Sequence, residues 1–139
     1  MRTEIILKQT TSAMDFSGTW KVYSDENLEE FLKEMGAPQI VVKMRKDIKP
    51  VIVIEQNGND FTYTVKTPSC TKVTSFTLGE ESEFTFMDGR KFKCSVREEN
   101  GKLITESDKF TCVREIQGEE LVETMTAGSV TSISRSRRV

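Results

Sequence analysis

Apolar residues recur along most of this chain at every second position, the period of a strand with one buried face. Phe16, Trp20 and Val22 share one side of a first such segment over residues 16–23. The period then changes. Leu28, Phe31, Leu32 and Met35 follow an i, i+3, i+4, i+7 pattern behind the N-cap candidates Ser24, Asp25, Glu26 and Asn27. Gly36 ends that helix, and Pro38 opens a second one running towards Lys46 with Ile40, Val41 and Met44 on its apolar side. After Pro50 the alternation returns in segments 51–56, 61–67, 71–77, 83–87, 90–97, 102–107, 110–116, 120–126 and 130–135. Turn signals separate them: Asn57-Gly58 (a type I′ hairpin signal), Pro68-Ser69, Gly79, Asp88-Gly89, Asn100-Gly101, Asp108, Gln117-Gly118 and Gly128.

With the first segment, this pattern predicts about ten strands. Tight hairpins leave no room for Greek-key crossovers, and closure would remove the two edges of an open meander. The expected fold is therefore all-β: a ten-stranded antiparallel up-and-down β-barrel (a clam) capped by a helix-turn-helix lid. A barrel of that size is too wide for its own side chains to fill, so it should enclose a cavity.

Composition removes several alternatives. The 139 residues fit one domain, and 36% hydrophobic content supports a modest core. A net charge of −2 disfavours electrostatic nucleic-acid binding, and Lys43, Arg45 and Lys46 are too few for a groove-reading helix. There is no histidine, which removes the commonest general base, the usual triads and most zinc sites. Cys70, Cys94 and Cys112 form no C-x-x-C pair and are odd in number, so neither a metal, a redox motif nor a secreted disulfide framework is expected. The opening residues lack the apolar centre of a signal peptide, which places the expected location in the cytosol. Glu80, Glu81, Glu83, Glu98 and Glu99 fall at turns, and the basic end Arg135-Ser136-Arg137-Arg138 reads as a charged closing strand.

One constellation remains. Cys112, Arg114 and Ile116 share a strand face, and Glu123 lies between Leu121 and Met125 on the next strand. Arg114 and Glu123 then form a cross-strand pair, either solvated outside or facing the lumen. In the lumen, Arg114 would receive an anionic ligand head group.

The order of Phe16-Ser17-Gly18-Thr19-Trp20, the helix pair, Asp47-Ile48-Lys49-Pro50, Ser75-Phe76-Thr77-Leu78-Gly79, Met87-Asp88-Gly89 and Asn100-Gly101-Lys102-Leu103 resembles the intracellular lipid-binding (fatty acid-binding) family. Lys66-Thr67-Pro68, Phe92-Lys93-Cys94 and Val122-Glu123-Thr124 resemble its liver basic, bile acid-binding branch. The resemblance covers residues 14–139 as one lipid-binding β-barrel domain and leaves 1–13 as an N-terminal extension, disordered or non-native. It implies a cytosolic carrier of long-chain fatty acids or bile acids, monomeric and not an enzyme, with no cofactor, metal or nucleic-acid partner and with transient contact to anionic membranes. Enzymatic use of the barrel, with Glu123 or a lysine as base, and a partner-docking use of the lid are the alternatives.

By that resemblance, Leu32, Met35, Val41, Met44, Ile48, Ile52, Ile54, Tyr63, Phe76, Met87 and Met125 supply apolar lining. Residues 41–48, Thr67, Pro68, Ser69 and Met87 frame the portal. Thr105, Cys112, Val113, Arg114, Glu123, Ser134 and Ser136 form the head-group region. Where the family's muscle-type branch has an Arg-x-Tyr clamp, this chain has Ser134-Arg135-Ser136, and Arg97 and Cys112 stand where bile acid binders turn histidines into the cavity.

Overall fold

The computed structural model describes residues 15–68, 70–86 and 89–139. In chain order these form β1 (Gly18–Glu26), α1 (Leu28–Glu34), α2 (Gln39–Asp47), β2 (Val51–Asn57), β3 (Asp60–Thr67), β4 (Cys70–Thr77) and β5 (Glu81–Thr85), then β6 (Lys91–Glu99), β7 (Lys102–Glu106), β8 (Thr111–Gln117), β9 (Glu120–Ala127) and β10 (Val130–Arg138). The expected extension, residues 1–13, lies outside the described residues.

The strands form one antiparallel sheet in the order β4-β3-β2-β1-β10-β9-β8-β7-β6-β5. Sequence neighbours pair as hairpins, and the β1–β10 ladder joins the two ends of the barrel domain. β4 and β5 lie side by side without a ladder, so a seam remains where the barrel nearly closes. The two helices cap one end. This is the expected ten-stranded clam with its lid. Among the described residues no helix is long and apolar enough to cross a membrane.

Local chemistry explains most boundaries and three departures. Asn100 and Gly101 both hold positive φ, 53° and 80°, as a type I′ turn requires. Asn57 instead pairs with Asp60, which moves the preceding turn one residue on, to Gly58 and Asn59. Only Gly58 there needs the left-handed region, at φ 64°.

Ser24, Asp25 and Glu26 do not cap α1, because β1 continues through Glu26. The β1–β10 register shifts between Val22 and Ser24, and the extra residue turns Asp25 inward opposite Ser134. Asn27 caps α1 with φ 58°, while its Nδ2 donates to the Thr131 carbonyl at 3.0 Å.

The third departure is the facing of α2. Ile40 and Met44 are 69% and 37% exposed, whereas Val42 and Arg45 are buried. At 100° per residue the two pairs occupy opposite sides of the helix. Arg45 donates to both oxygens of Asp25, at 2.9 and 3.1 Å, and this fork fixes which side faces the barrel.

The end away from the lid is a packed floor. Phe16, Trp20, Val22, Ile54, Phe61, Phe76, Val96, Leu103 and Leu121 form one buried cluster. Phe61 and Phe76 stack with centroids 5.0 Å apart, and Trp20 Nε1 donates to the Phe16 carbonyl at 3.1 Å.

Candidate functional site

Alternation decides what can face the interior. On β8 it turns Cys112, Arg114 and Ile116 inward, and the β8–β9 register sets Arg114 directly opposite Glu123. Tyr63 reaches the same point from β3, across the barrel. Arg114 Nε donates to Glu123 Oε2 at 2.7 Å, and the Tyr63 hydroxyl donates to that same oxygen at 2.6 Å. Arg114 Nη1 donates to Thr105 Oγ1 at 3.1 Å, while Nη2 has no partner among the described residues. The guanidinium carbon stands 4.7 Å from the Tyr63 ring centroid. The Arg114 and Glu123 side chains are 12% and 7% exposed, so this is an interior pair and the solvated alternative falls away.

Burial opposes the charge on Arg114, but its neighbours Cys112, Tyr63 and Glu123 outweigh that and hold the guanidinium protonated. Burial and the Glu123 charge push the Tyr63 hydroxyl well above its ordinary range, so it stays a donor. Burial also raises the Cys94 and Cys112 thiols to about 11, which makes both small buried hydrophobes rather than nucleophiles.

Two adjoining chambers surround this cluster. One, of about 170 Å³, lies under the lid against Leu28, Phe31, Leu32, Ile52, Tyr63 and Met125. The other, of about 120 Å³, runs along Lys72, Thr74, Phe84, Thr105, Phe110 and Cys112. Tyr63, Val65, Thr85, Phe86, Arg114 and Met125 border both. The arrangement is a largely apolar hollow with a polar cluster at its centre and further polar groups on β4 and β5, which is suited to an amphipathic molecule.

A second buried ion pair fastens the lid to the barrel rim. Asp25 accepts from Arg45 on α2 and from Ser134 Oγ at 2.6 Å, with Lys49 at 3.6 Å. Both side chains of the Asp25–Arg45 pair are 9% exposed.

The sequence-derived residues divide accordingly. Leu32, Ile52, Tyr63, Thr105, Cys112, Arg114, Glu123, Met125 and Ser134 border the chambers. Ile54, Phe76 and Ser136 do not; the first two belong to the floor, and Ser136 is fully buried opposite Val22 and Leu121. Met35 is buried in the lid-side cluster with Leu28, Phe31 and Leu32, on their face of the helix, but borders a surface cleft with Arg90 and Phe92 rather than either chamber. Thr67 and Pro68 sit at the rim of the β3–β4 hairpin and border neither chamber, and neither does the half-buried Ile48.

Val113 is a correction: lying between two inward residues, it must face out, where it pairs with Thr124. Met44 is corrected by the α2 rotation described above, while Val41 is half-buried and borders neither chamber. Arg97 is corrected too, being exposed and bonded to Glu99 and Glu106 outside the barrel. Ser69 and Met87 lie outside the described residues. Val65, Lys72, Thr74, Thr85 and Phe86 are among the chamber residues that were missed. Counting by twos from Tyr63 and Phe76 would have found the first three, whereas the adjacent Thr85 and Phe86 cannot both follow from alternation.

Comparison with known proteins agrees with this geometry. Residues 14–139 match the lipocalin / cytosolic fatty-acid binding protein family. A liver fatty acid-binding protein of Schroederichthys bivius is 52% identical over 126 residues, covering 91% of this chain and all of that one. Gastrotropin of Mus musculus is 35% identical, with 91% and 99% covered. A solved fatty acid-binding protein from Drosophila melanogaster brain superposes with a TM-score of 0.81 at 31% identity, covering 88% and 99%. On the sequence match along the whole barrel and on the shared clam architecture, this chain belongs to the lipocalin / cytosolic fatty-acid binding protein family.

Proposed function

We propose that the protein is a cytoplasmic, monomeric, non-enzymatic carrier that holds one class of ligand, long-chain amphipathic acids, inside the barrel. Fatty acids are the first candidates and bile acids the second. The observation that carries the reading is a pair of chambers lined largely by apolar side chains around the polar cluster Arg114, Tyr63, Thr105 and Glu123. An acyl chain contributes about 0.8 kcal/mol per buried methylene, so chain burial supplies the affinity and the cluster orients the head. Arg114 Nη2 is the guanidinium nitrogen left for an acceptor. Leu32, Ile52, Tyr63 and Met125 line the acyl path.

The relatives' names point the same way, and the interior offers no activated nucleophile. Both buried thiols are raised, and Glu123 already accepts two hydrogen bonds. Native mass spectrometry of freshly purified protein, followed by titration with oleate and with cholate, tests the proposal. A co-purified lipid acid, or saturable oleate or cholate binding, is the expected result. Turnover of lipid esters, or absence of binding to either acid, overturns it.

A second reading concerns delivery. α2 exposes Ile40 and Met44 beside the exposed Lys43 and Lys46, an apolar and basic surface suited to transient contact with anionic membranes. Binding to phosphatidylserine vesicles that weakens with salt and with Ile40→Ser supports this reading. Salt-independent binding, or none, removes it.

A further inference from the structure

Strand β4 inverts the usual assignment at one point. Val73 is 58% exposed on the outer face, while Lys72 faces the interior beside buried Thr74 and Phe76. The register Val65↔Lys72, Tyr63↔Thr74 and Phe61↔Phe76 leaves no freedom, because a slip of one residue would carry Phe76 out of the floor. Lysine inside and valine outside are each unfavourable by burial alone. Lys72 also borders the smaller chamber, with Arg114, Thr105 and Tyr63.

Charge counting gives this position a role. The smaller chamber and its wall contain two cations, Arg114 and Lys72, and one carboxylate, Glu123. Glu123 is committed to Arg114 and Tyr63, and Asp25 is committed to Arg45, Ser134 and Lys49 under the lid. Lys72 has no hydrogen-bond or ion-pair partner among the described residues. A ligand carboxylate brought to Arg114 alone would leave two anions sharing one buried cation. With Lys72 counted, the same carboxylate closes the balance.

We propose that Lys72 is the residue that makes this cavity select acids over neutral lipids: its ammonium is the counter-ion of the bound carboxylate, which lies between Lys72 and Arg114. The proposal rests on the carrier reading above. It assigns the selectivity to a β4 residue rather than to the guanidinium, whose charge the protein already neutralises.

The test compares oleate with oleyl alcohol in wild type, Lys72→Met and Lys72→Arg, by displacement of a fluorescent lipid probe. A charge-assisted contact of this kind predicts about tenfold weaker oleate binding in Lys72→Met, with oleyl alcohol changed by less than about twofold. Lys72→Arg should keep oleate within about threefold of wild type, which a loss of packing or folding in the first variant would not mimic. Parallel losses for acid and alcohol, or no loss for either, would overturn the assignment and leave Lys72 as a solvating residue at the β4–β5 seam. Wild type binding both lipids equally well would keep the carrier reading and remove the Lys72 proposal. Wild type binding neither would remove both.

Discussion

The floor of the barrel and its lid-side half are built from the same alternating strands, yet they solve opposite problems. In the floor, large apolar groups fill most inward positions, and Phe16, Trp20 and Leu121 are wholly buried. A few strand positions further on, the inward residues become Lys72, Thr74, Thr85, Thr105, Arg114, Glu123 and Ser134, and the barrel turns hollow. The floor stabilises the fold by contact. The upper half carries two buried ion pairs, Arg114–Glu123 and Asp25–Arg45, whose attraction must first offset desolvation. Stability and binding are therefore segregated along the barrel axis.

The sharpest way to break this contrast is to remove equal side chains from the two regions. Phe61→Ala should cost about 4 kcal/mol, because the close-packed floor cannot refill the space. Phe86→Ala, from a half-buried position bordering both chambers, should cost about half as much and weaken oleate binding instead. Chemical denaturation and oleate titration of the two variants check this. Similar stability losses would mean that the chamber walls are as closely packed as the floor.

The interior pair gives the next effect in size. Arg114→Met leaves Glu123 buried and unpaired, with only Tyr63 donating to it, and should destabilise by about 3 kcal/mol. Adding Glu123→Met should recover most of that loss, because no buried charge is then stranded. Measuring unfolding free energies for both singles and the double separates the pair's coupling from its desolvation. Additive losses would mean that the two residues act independently and that the cluster is not one unit.

The two regions were also unequally legible from the sequence. The floor follows from period two, since Phe16, Trp20, Val22, Phe61 and Phe76 declare their face by size and spacing. The pairing of Arg114 with Glu123 was legible for the same reason: each sits between apolar residues on its own face, and a short hairpin fixes their register. Alternation alone leaves open which way the pair faces, and the structure places it inside. Val113 was misassigned because family resemblance treats a motif as a block, whereas a strand cannot turn three successive residues inward.

Asp25 left no signal. It turns inward only because a bulge near Val22 changes the parity of β1, and nothing in Val22-Tyr23-Ser24-Asp25 marks a bulge. Without Asp25 the inward turn of Arg45 could not be anticipated, and hydrophobicity then favours Ile40, Val41 and Met44 as the inner face of α2. Lys72 escaped for a related reason: a polar residue in a strand reads as surface unless its register to Phe76 is counted. What stayed illegible was thus the polar half, where tertiary partners decide facing.

The smallest effect is a difference in how the two regions respond to alkali. The floor cluster contains no titratable side chain, whereas Cys94 and Cys112 sit in the upper half, moved by burial from 9.0 to about 11. Their native values lie above those of the unfolded chain, so stability from the neutral thiols is fully present below about pH 9. Between about pH 9 and 11 the unfolded chain releases protons that the native state retains, and stability falls. One such thiol accounts for about 1.4 kcal/mol at about pH 10. Tyr63, shifted the same way, extends the loss to higher pH. Denaturant midpoints followed across this range should therefore slope downward. Cys112→Ala should lower the starting stability but flatten the slope, while Leu121→Ala in the floor should lower the whole curve and leave its slope unchanged. If the two variants kept identical slopes, the alkaline loss would have to arise outside the lid-side interior, and the segregation of charge from packing would no longer explain it.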